Sequence, residues 1–189
     1  MNENEYTYFS AFIHISRAIS SSIDFKTVLH RIVKHTCEMT DSKGCTLMLL
    51  DETGEKLEVK SFYGLSDHYV HKGPLSADKS IADALKGKPV IIEDATSDPR
   101  VQYPLEAKQE GIASIISVPI ILRERTMGVL RLYTLVPCRF AKDDIDFLSA
   151  IATQSGLAIE NARMFEQMKS SYEKLMVSPS PTQESPPLK

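Results

Sequence analysis

The sequence predicts an α+β domain: a central antiparallel sheet of five to six strands, with the terminal helices on one face and shorter helices and loops on the other. Helical periodicity occupies both ends of the chain, short apolar runs bounded by turn residues fill the middle, and two weaker helical segments interrupt those runs. A chain of 189 residues is long enough to bury the core of one such domain. This order of elements leaves a space between the sheet and the middle segments, which is a natural position for a ligand pocket.

Two helices are predicted in the first forty residues. The first covers 6–19, where Phe9, Phe12 and Ile13 recur at helical spacing. Asp24 follows a run of three serines and is a good N-cap for the second helix. The apolar side chains of that second helix form one stripe at spacings of three and four residues: Val28, Leu29, Ile32, Val33, Cys37.

Five strands are predicted in the middle of the chain. They cover 44–51, 56–64, 89–94, 113–122 and 126–135. The first two form a hairpin, and the last two are joined by a charged turn. The interrupting helices are predicted over 77–86, which Gly87 ends, and between Pro104 and Gly111.

The longest predicted helix begins near Phe140 and runs to about Met176, which is longer than its own domain needs. Its later apolar residues are spaced close to a heptad seam, so the sequence predicts a dimer formed through the terminal helices. The residues predicted to form that dimer surface are Phe9, Ile13, Ala158, Ala162, Phe165, Met168 and Tyr172. The last stretch, 177–189, holds four prolines and little that is apolar, and it predicts a disordered tail or linker.

Composition excludes several classes of protein. The net charge of −3 and the lack of a basic stripe argue against a nucleic-acid partner. The longest apolar run, 115–122, is too short to span a membrane, and the first ten residues do not resemble a signal peptide. Three cysteines at wide spacing fit a reducing cytoplasm better than a disulfide framework.

An ordered series of short motifs runs through the chain. It includes Lys86-Gly87-Lys88-Pro89-Val90, Asp98-Pro99-Arg100, Ser114-Ile115-Ile116-Ser117-Val118-Pro119-Ile120, Met127-Gly128-Val129-Leu130 and Ala158-Ile159-Glu160-Asn161-Ala162-Arg163. By this series the chain resembles the GAF family over roughly 16–165. The resemblance implies a regulatory domain with a GAF/PAS-like fold, in which 1–22 joins a dimer bundle, 23–165 is the GAF domain and 166–176 is a signalling or coiled-coil extension.

The resemblance does not imply one ligand. Members of the family bind cyclic nucleotides, bilins, haem, iron, amino acids or 2-oxo acids, and some only dimerise. The cyclic-nucleotide pattern is incomplete here, because Phe140 and Asp144 are present but Ile145 stands where that pattern has Glu, and no Asn-Lys pair precedes them. The ligand and any cofactor therefore stay open.

Cysteine and histidine chemistry receives little support from the sequence. A bilin sensor needs a cysteine beside a histidine, and the sulfoxide-reductase branch of the family needs clustered cysteines within 78–118. Cys37 and Cys45 lie on apolar faces, and Cys138 is the cysteine expected to be exposed. His68 and His71 are the best-spaced metal pair but lack further ligands nearby, so no metal site is predicted and their loop is expected to be solvated. No catalytic residues are predicted.

The pocket is predicted from strand members, the middle helix and the loop that the family places over the pocket mouth. The candidates are Phe62, Tyr63, Ile81, Asp94, Arg100, Tyr103, Ile116 and Val118. Alternation alone leaves open which face of the sheet the strand members take. Asp94 and Arg100 also fit a pure turn role.

The sequence thus predicts a non-catalytic, cytoplasmic sensory module of a bacterial-type signalling pathway. It would bind an unknown small molecule, form a homodimer and act on a downstream effector domain or protein, with no nucleic-acid or membrane partner. Two alternatives stay open: a purely structural dimerisation module without a ligand, and a thiol enzyme resembling free methionine sulfoxide reductase.

Overall fold

The computed structural model describes residues 3–177, except 23, 52, 55, 74 and 76–81. The helices are α1 (Glu3–Ser20), α2 (Phe25–Met39), α3 (Asp67–Val70), α4 (Ala82–Leu85), α5 (Pro104–Glu110) and α6 (Lys142–Val177). The strands are β1 (Gly44–Leu50), β2 (Leu57–Tyr63), β3 (Val90–Ile92), β4 (Ser114–Leu122) and β5 (Arg125–Thr134). The predicted strands and terminal helices are all present, and α3 is an addition that the sequence did not predict.

The described strands form one sheet in the order β2-β1-β5-β4-β3, and each neighbouring pair is antiparallel. The terminal helices α1, α2 and α6 share one core with the sheet, while α5 and α3 belong to a smaller core with other sheet residues. This arrangement confirms the predicted α+β fold with a five-stranded antiparallel sheet.

Alternation along the strands separates the two faces of the sheet. In β1, Cys45, Leu47 and Leu49 lie in the core shared with the terminal helices. Their neighbours Thr46 and Met48 point to the other face, because successive side chains on a strand alternate. The face that meets the terminal helices is therefore apolar, and the opposite face carries the polar groups described below.

Aspartate side chains bond to the N-terminal ends of the second and the last helix, and the first of these caps is the predicted one. Asp24 accepts a hydrogen bond from the Thr27 N–H at 2.8 Å, which caps α2. In α6, Asp144 Oδ2 accepts a hydrogen bond from the Ala141 N–H at 2.7 Å. The same carboxylate accepts a hydrogen bond from the Tyr8 hydroxyl at 2.5 Å, and the Tyr8 ring stacks on Phe147 with centroids 4.9 Å apart. Asp144 thus joins α1 to the first turn of α6.

The Tyr8 contact predicts a dependence of stability on pH. The hydrogen bond to Asp144, followed by burial, raises the pKa of Tyr8 to about 12. Because this pKa lies above the unfolded value of about 10, the stabilisation is present below pH 10 and is lost as the pH rises through 12. Tyr8→Phe should lower the free energy of unfolding by about 1 kcal/mol at pH 7, and by less at pH 12. Urea denaturation at both pH values would show this, and an equal difference at both would contradict it.

The C-terminal half of α6 extends beyond the domain core. Ala162 is the last buried residue of the helix, and the described side chains from 163 onward are exposed. Among the predicted dimer residues, Ala162 is buried in the protein's own core and Ala158 packs against it, so these two face inward. Phe165, Met168 and Tyr172 are exposed. The predicted tail, 177–189, lies outside the described residues except for Val177.

None of the helices that the structure describes is both long enough and apolar enough to cross a membrane.

Candidate functional site

A cavity of about 750 Å³ lies mainly on the face of the sheet opposite the terminal helices, and one part of it reaches His30 of α2. The sheet contributes Thr46 and Met48 from β1, Phe62 from β2 and Tyr133 from β5. The other wall comes from residues 66–73, hereafter the covering segment, which contains α3. The volume of the cavity is within the range of pockets that hold small organic ligands.

Local hydrogen bonds shape the covering segment. Ser66 is the N-cap of α3, and its Oγ accepts a hydrogen bond from the Tyr69 N–H at 3.1 Å. The Tyr69 ring is 3% exposed and meets the Tyr133 ring edge to face, with centroids 5.7 Å apart. Tyr69 therefore anchors the covering segment on β5.

Glu110, at the end of α5, holds the start of the covering segment. Its carboxylate accepts hydrogen bonds from the Ser66 N–H at 2.9 Å and from the Ser66 hydroxyl at 2.5 Å, and it lies 3.4 Å from Lys43 Nζ. Burial acts to raise the pKa of Glu110, but the Ser66 hydrogen bonds and the Lys43 charge outweigh it, so the pKa lies below its ordinary value. The carboxylate is therefore stabilised in its charged form.

The sheet side of the site contains a buried polar group. Arg131 of β5 is 3% exposed and donates from Nε to Ser117 Oγ at 2.8 Å. In the strand register it lies opposite Ser117 on β4 and Thr46 on β1. The hydroxyl groups of Thr46 and Tyr133 are 3.2 Å apart. One cation and three hydroxyl groups are thus held together on this face.

Lys72 brings a second cation to the cavity. Its ammonium donates to the Tyr69 carbonyl at 2.8 Å and lies 3.5 Å from the centroid of the Tyr69 ring. Burial and the nearby Arg131 charge lower the pKa of Lys72 to about 8, against weaker opposing effects of Glu106 and Glu110. The side chain is therefore still mostly charged at neutral pH.

The structure separates the predicted pocket residues into two faces. Phe62 lines the cavity. Tyr63, Ile116 and Val118 lie instead on the face of the terminal helices, where they pack in or against the main core. The reason is the strand register: Thr46 pairs with Phe62 and Cys45 with Tyr63, so these neighbours point to opposite faces.

The loop candidates have local roles. The carboxylate of Asp94 accepts hydrogen bonds from Thr96 and Ser97 at 2.6–2.8 Å, and these bonds lower its pKa to about 2. Arg100 forms an ion pair with Asp98 and donates to the Ile91 carbonyl at 2.8 Å. Both arrangements match the turn role, and neither side chain lines the cavity.

Two further candidates remain. The Tyr103 ring centroid lies 5.8 Å from Lys72 Nζ, so Tyr103 stands beside the covering segment without lining the cavity. Ile81 lies outside the described residues.

Sequence reasoning missed most of the cavity wall. Its lining residues Thr46, Met48, Tyr69, Lys72 and Tyr133 were not predicted. Two signals point to them: the alternation of β1 places Thr46 and Met48 opposite the apolar Cys45 face, and Ser66-Asp67 is a capping pattern that begins a helical turn before an aromatic residue. In the segment predicted to be a solvated histidine loop, His68 and His71 are both exposed, and His71 also lines the cavity.

The histidines, cysteines and carboxylates of the described residues bear on metal binding and on thiol chemistry. Across the described ranges, no three His, Cys, Asp or Glu side chains come close enough to share a metal ion. All three cysteines are described and none lines the cavity. Burial raises the pKa of each thiol: Cys37 to about 11, with Cys45 and Cys138 also above their ordinary value.

The family is established by comparison with known proteins. The sequence profile of the GAF domain matches residues 22–160, which is most of the chain. The chain therefore belongs to the GAF family. GAF domains are generally regulatory or sensory modules rather than enzymes.

Solved structures share this fold. The GAF domain of a phosphoenolpyruvate-protein phosphotransferase from Coxiella burnetii is similar with a TM-score of 0.77 at 20% identity, over 87% of this chain and 99% of that one. The corresponding domain from Acinetobacter gives 0.70 at 22% identity, over 87% and 97%. Free methionine-R-sulfoxide reductase from Neisseria meningitidis, solved with its substrate, gives 0.71 at 18% identity, over 87% and 95%. At these identities the likeness concerns the fold alone.

One curated relative is much longer than this chain. It is a probable 3',5'-cyclic phosphodiesterase, pde-5, of Caenorhabditis elegans, 22% identical over 179 residues. The match covers 88% of this chain but 25% of the relative, so the chain spans about a quarter of that protein's length.

Proposed function

We propose that this chain is a non-catalytic GAF module of a cytoplasmic signalling protein, which binds a small molecule in the cavity and dimerises through α1 and α6. The observation that carries the proposal is the position of the cavity. Strands β1 and β5 contribute side chains to the cavity on one face and to the core of the terminal helices on the other. A residue that contacts a ligand is therefore the chain neighbour of a residue that packs against the helices.

Neighbouring residues on β1 and β5 connect the two faces. Met48 lines the cavity, while Leu47 and Leu49 pack in the core with α2 and α6. On β5, Tyr133 lines the cavity and Leu132 packs in the helix core. A ligand that favours one position of these strands would therefore favour one packing of α6.

The surface of α6 supports the dimer part of the proposal. Six exposed apolar residues on this helix fall within an arc of about 120°, calculated at about 100° per residue. They are Leu157, Met164, Phe165, Met168, Tyr172 and Met176. Phe9, 59% exposed, and the half-buried Ile13 provide a smaller apolar surface on α1. A second copy of the chain would cover the α6 stripe from water.

The thiol-enzyme alternative is disfavoured by the positions of the cysteines. Attack on a sulfoxide needs a thiolate at the substrate, whereas here each thiol has a raised pKa and none lines the cavity. We expect Cys138→Ser to leave ligand binding unchanged. The purely structural alternative differs from the proposal in having no cavity ligand, and the probe experiment below separates the two.

The dimer is tested with two charges placed in the apolar stripe. Phe165→Glu with Met168→Glu removes two apolar contacts and should weaken dimerisation by about 100-fold or more. The matched control, Gln167→Glu with Ser170→Glu, adds the same charges to the other side of α6 and should leave the dimer intact. Sedimentation velocity of the whole chain from 1 to 100 µM, on the order of typical dimer constants, measures this. A wild-type protein that stays monomeric throughout would contradict the dimer.

A further inference from the structure

We infer that the cavity selects a small organic anion, whose carboxylate or phosphate group binds the Lys72 ammonium while its apolar or aromatic body lies against Met48 and Phe62. This inference rests on the proposed function, since it names the class of ligand that the same cavity takes. It goes beyond that function because a GAF fold alone does not define the charge of the ligand.

The charge of the cavity wall is the first support. None of the described lining residues is an aspartate or a glutamate. Of the two lining lysines, Lys60 is paired with Glu58 at 2.5 Å, so Lys72 is the lysine that can offer its charge to a ligand. The buried Arg131 lies behind the wall, close enough to lower the pKa of Lys72. A concave site with cations and few opposing charges attracts anions and disfavours cations.

The bonding of Lys72 is the second support. An ammonium group has three donor hydrogens, and within the described part of the chain Lys72 has one hydrogen-bond acceptor, the Tyr69 carbonyl, together with the Tyr69 ring. No carboxylate among the described residues is within ion-pair distance of Lys72 Nζ, although Glu106 and Glu110 act on it from further away. An anion in the cavity would accept from the remaining donors in a charge-assisted bond.

The rest of the wall suits the other parts of such a ligand. Met48, Leu57, Phe62 and Leu75 give an apolar surface for the body of the molecule. The hydroxyl groups of Thr46 and Tyr133 add polar contacts deeper in the site. The ligand expected is therefore amphipathic: an anionic group on an apolar or aromatic frame.

Binding should also depend on pH. Among the described residues, the groups that face Lys72 are Tyr69 in its own segment, Tyr103 beside α5, Glu106 and Glu110 on α5, and Arg131 on β5. With its pKa lowered to about 8, Lys72 loses its charge as the pH rises from 7 to 9. Affinity for an anion should fall over this interval, and a neutral analogue should show no such change.

The test uses three probes of nearly equal shape: indole-3-acetate, indole-3-acetamide and tryptamine, which are an anion, a neutral amide and a cation. Binding to the whole chain is followed by NMR chemical shifts of the Met48 methyl group and of the aromatic rings in the wall. We expect indole-3-acetate to bind at least about tenfold more tightly than either analogue, the effect of one charge-assisted hydrogen bond. A second pair, 1-naphthyl phosphate and 1-naphthol, repeats the comparison of an anion with a neutral analogue for a phosphate group.

Variants then assign the preference to Lys72. Lys72→Met should reduce the ratio of acetate to acetamide affinity to about one, and Lys72→Arg should keep it, because the guanidinium retains the charge. Lys60→Met removes another lining lysine and serves as the matched control, with the ratio unchanged. Circular dichroism confirms that each variant is folded before its affinity is compared.

The outcomes are distinct. Equal affinity for the anion and the amide would overturn the anion inference and leave the proposed ligand binding intact. A preference that persists in Lys72→Met would overturn the role of Lys72. No shift of any wall resonance with any of the five probes would contradict ligand binding in the cavity itself, and with it the ligand part of the proposed function.

Discussion

Gly128→Ala should lower the free energy of unfolding by about 3 kcal/mol or more. Gly128 lies in the centre of the sheet, on β5 opposite Leu49 of β1. A Cβ atom there would lie 2.1 Å from the Met48 carbonyl oxygen and 3.0 Å from Leu49 Cα. Because both contacts are with backbone atoms of a paired strand, rotation of a side chain cannot relieve them.

Urea denaturation followed by circular dichroism measures this loss. Gly54→Ala is the matched control, since a Cβ atom at Gly54 meets nothing within 4 Å and the cost there is limited to its positive φ of 75°. That control should lose about 1 kcal/mol. If Gly128→Ala were no less stable than Gly54→Ala, this would contradict the close approach of β1 and β5 at Gly128.

Glu110→Ala should release the covering segment. The variant removes the acceptor of two Ser66 hydrogen bonds and the partner of Lys43. Because hydrogen bonds to a charged group are lost, we expect the free energy of local unfolding of the covering segment to fall by about 2 kcal/mol. Amide hydrogen exchange in 66–72 should accelerate by about tenfold or more, while exchange in the sheet changes little.

Glu106→Ala on the same helix is the matched control for this variant. It removes a second carboxylate near Lys72 and leaves Ser66 bonded, so exchange in the covering segment should match the wild type. The stabilisation by Glu110 depends on pH. Because the folded pKa of Glu110 lies below its ordinary value of about 4.3, its stabilisation is present above that value and is lost as the pH falls through the folded pKa. Exchange rates equal in Glu110→Ala and Glu106→Ala would contradict the role of Glu110.

Much of the fold could be predicted from local patterns. The apolar stripe of α2, the capping by Asp24 and the Gly111 terminus of α5 are each defined by a few neighbouring residues. Gly111 has a positive φ of 76°, the conformation expected for a glycine that ends a helix. Such signals need no knowledge of the tertiary structure, and the α+β prediction based on them is confirmed.

The cavity wall was harder to predict because it depends on pairing between distant strands. Tyr63 and Ile116 looked equally suited to either face, and only the register of β1, β2, β4 and β5 assigns them to the helix core. Tyr69 and Lys72 belong to a short polar segment whose conformation depends on Glu110, 44 residues after Ser66 in the chain. Patterns within a short window carry no information about such contacts.

The dimer surface was predicted incompletely, and the reason is similar. Heptad spacing places Ala158 and Ala162 on the same seam as Phe165, but small residues at these positions pack against the protein's own core. The exposed stripe is instead displaced around the helix toward Leu157 and Met164. Spacing alone does not distinguish the face that a helix turns to its own domain from the face it turns to a partner.

The central claim is that occupancy of the cavity changes the packing of the terminal helices. It is tested by electron-spin distance measurement in the dimer, with a nitroxide at Ser170→Cys on the exposed part of α6 in a Cys138→Ser background. Indole-3-acetate at a concentration that fills the cavity by NMR should shift the distance between the two labels by about 2 Å or more, and Lys72→Met should require about tenfold more of the probe for the same shift. Identical distance distributions with and without the bound probe would contradict a regulatory role for the cavity.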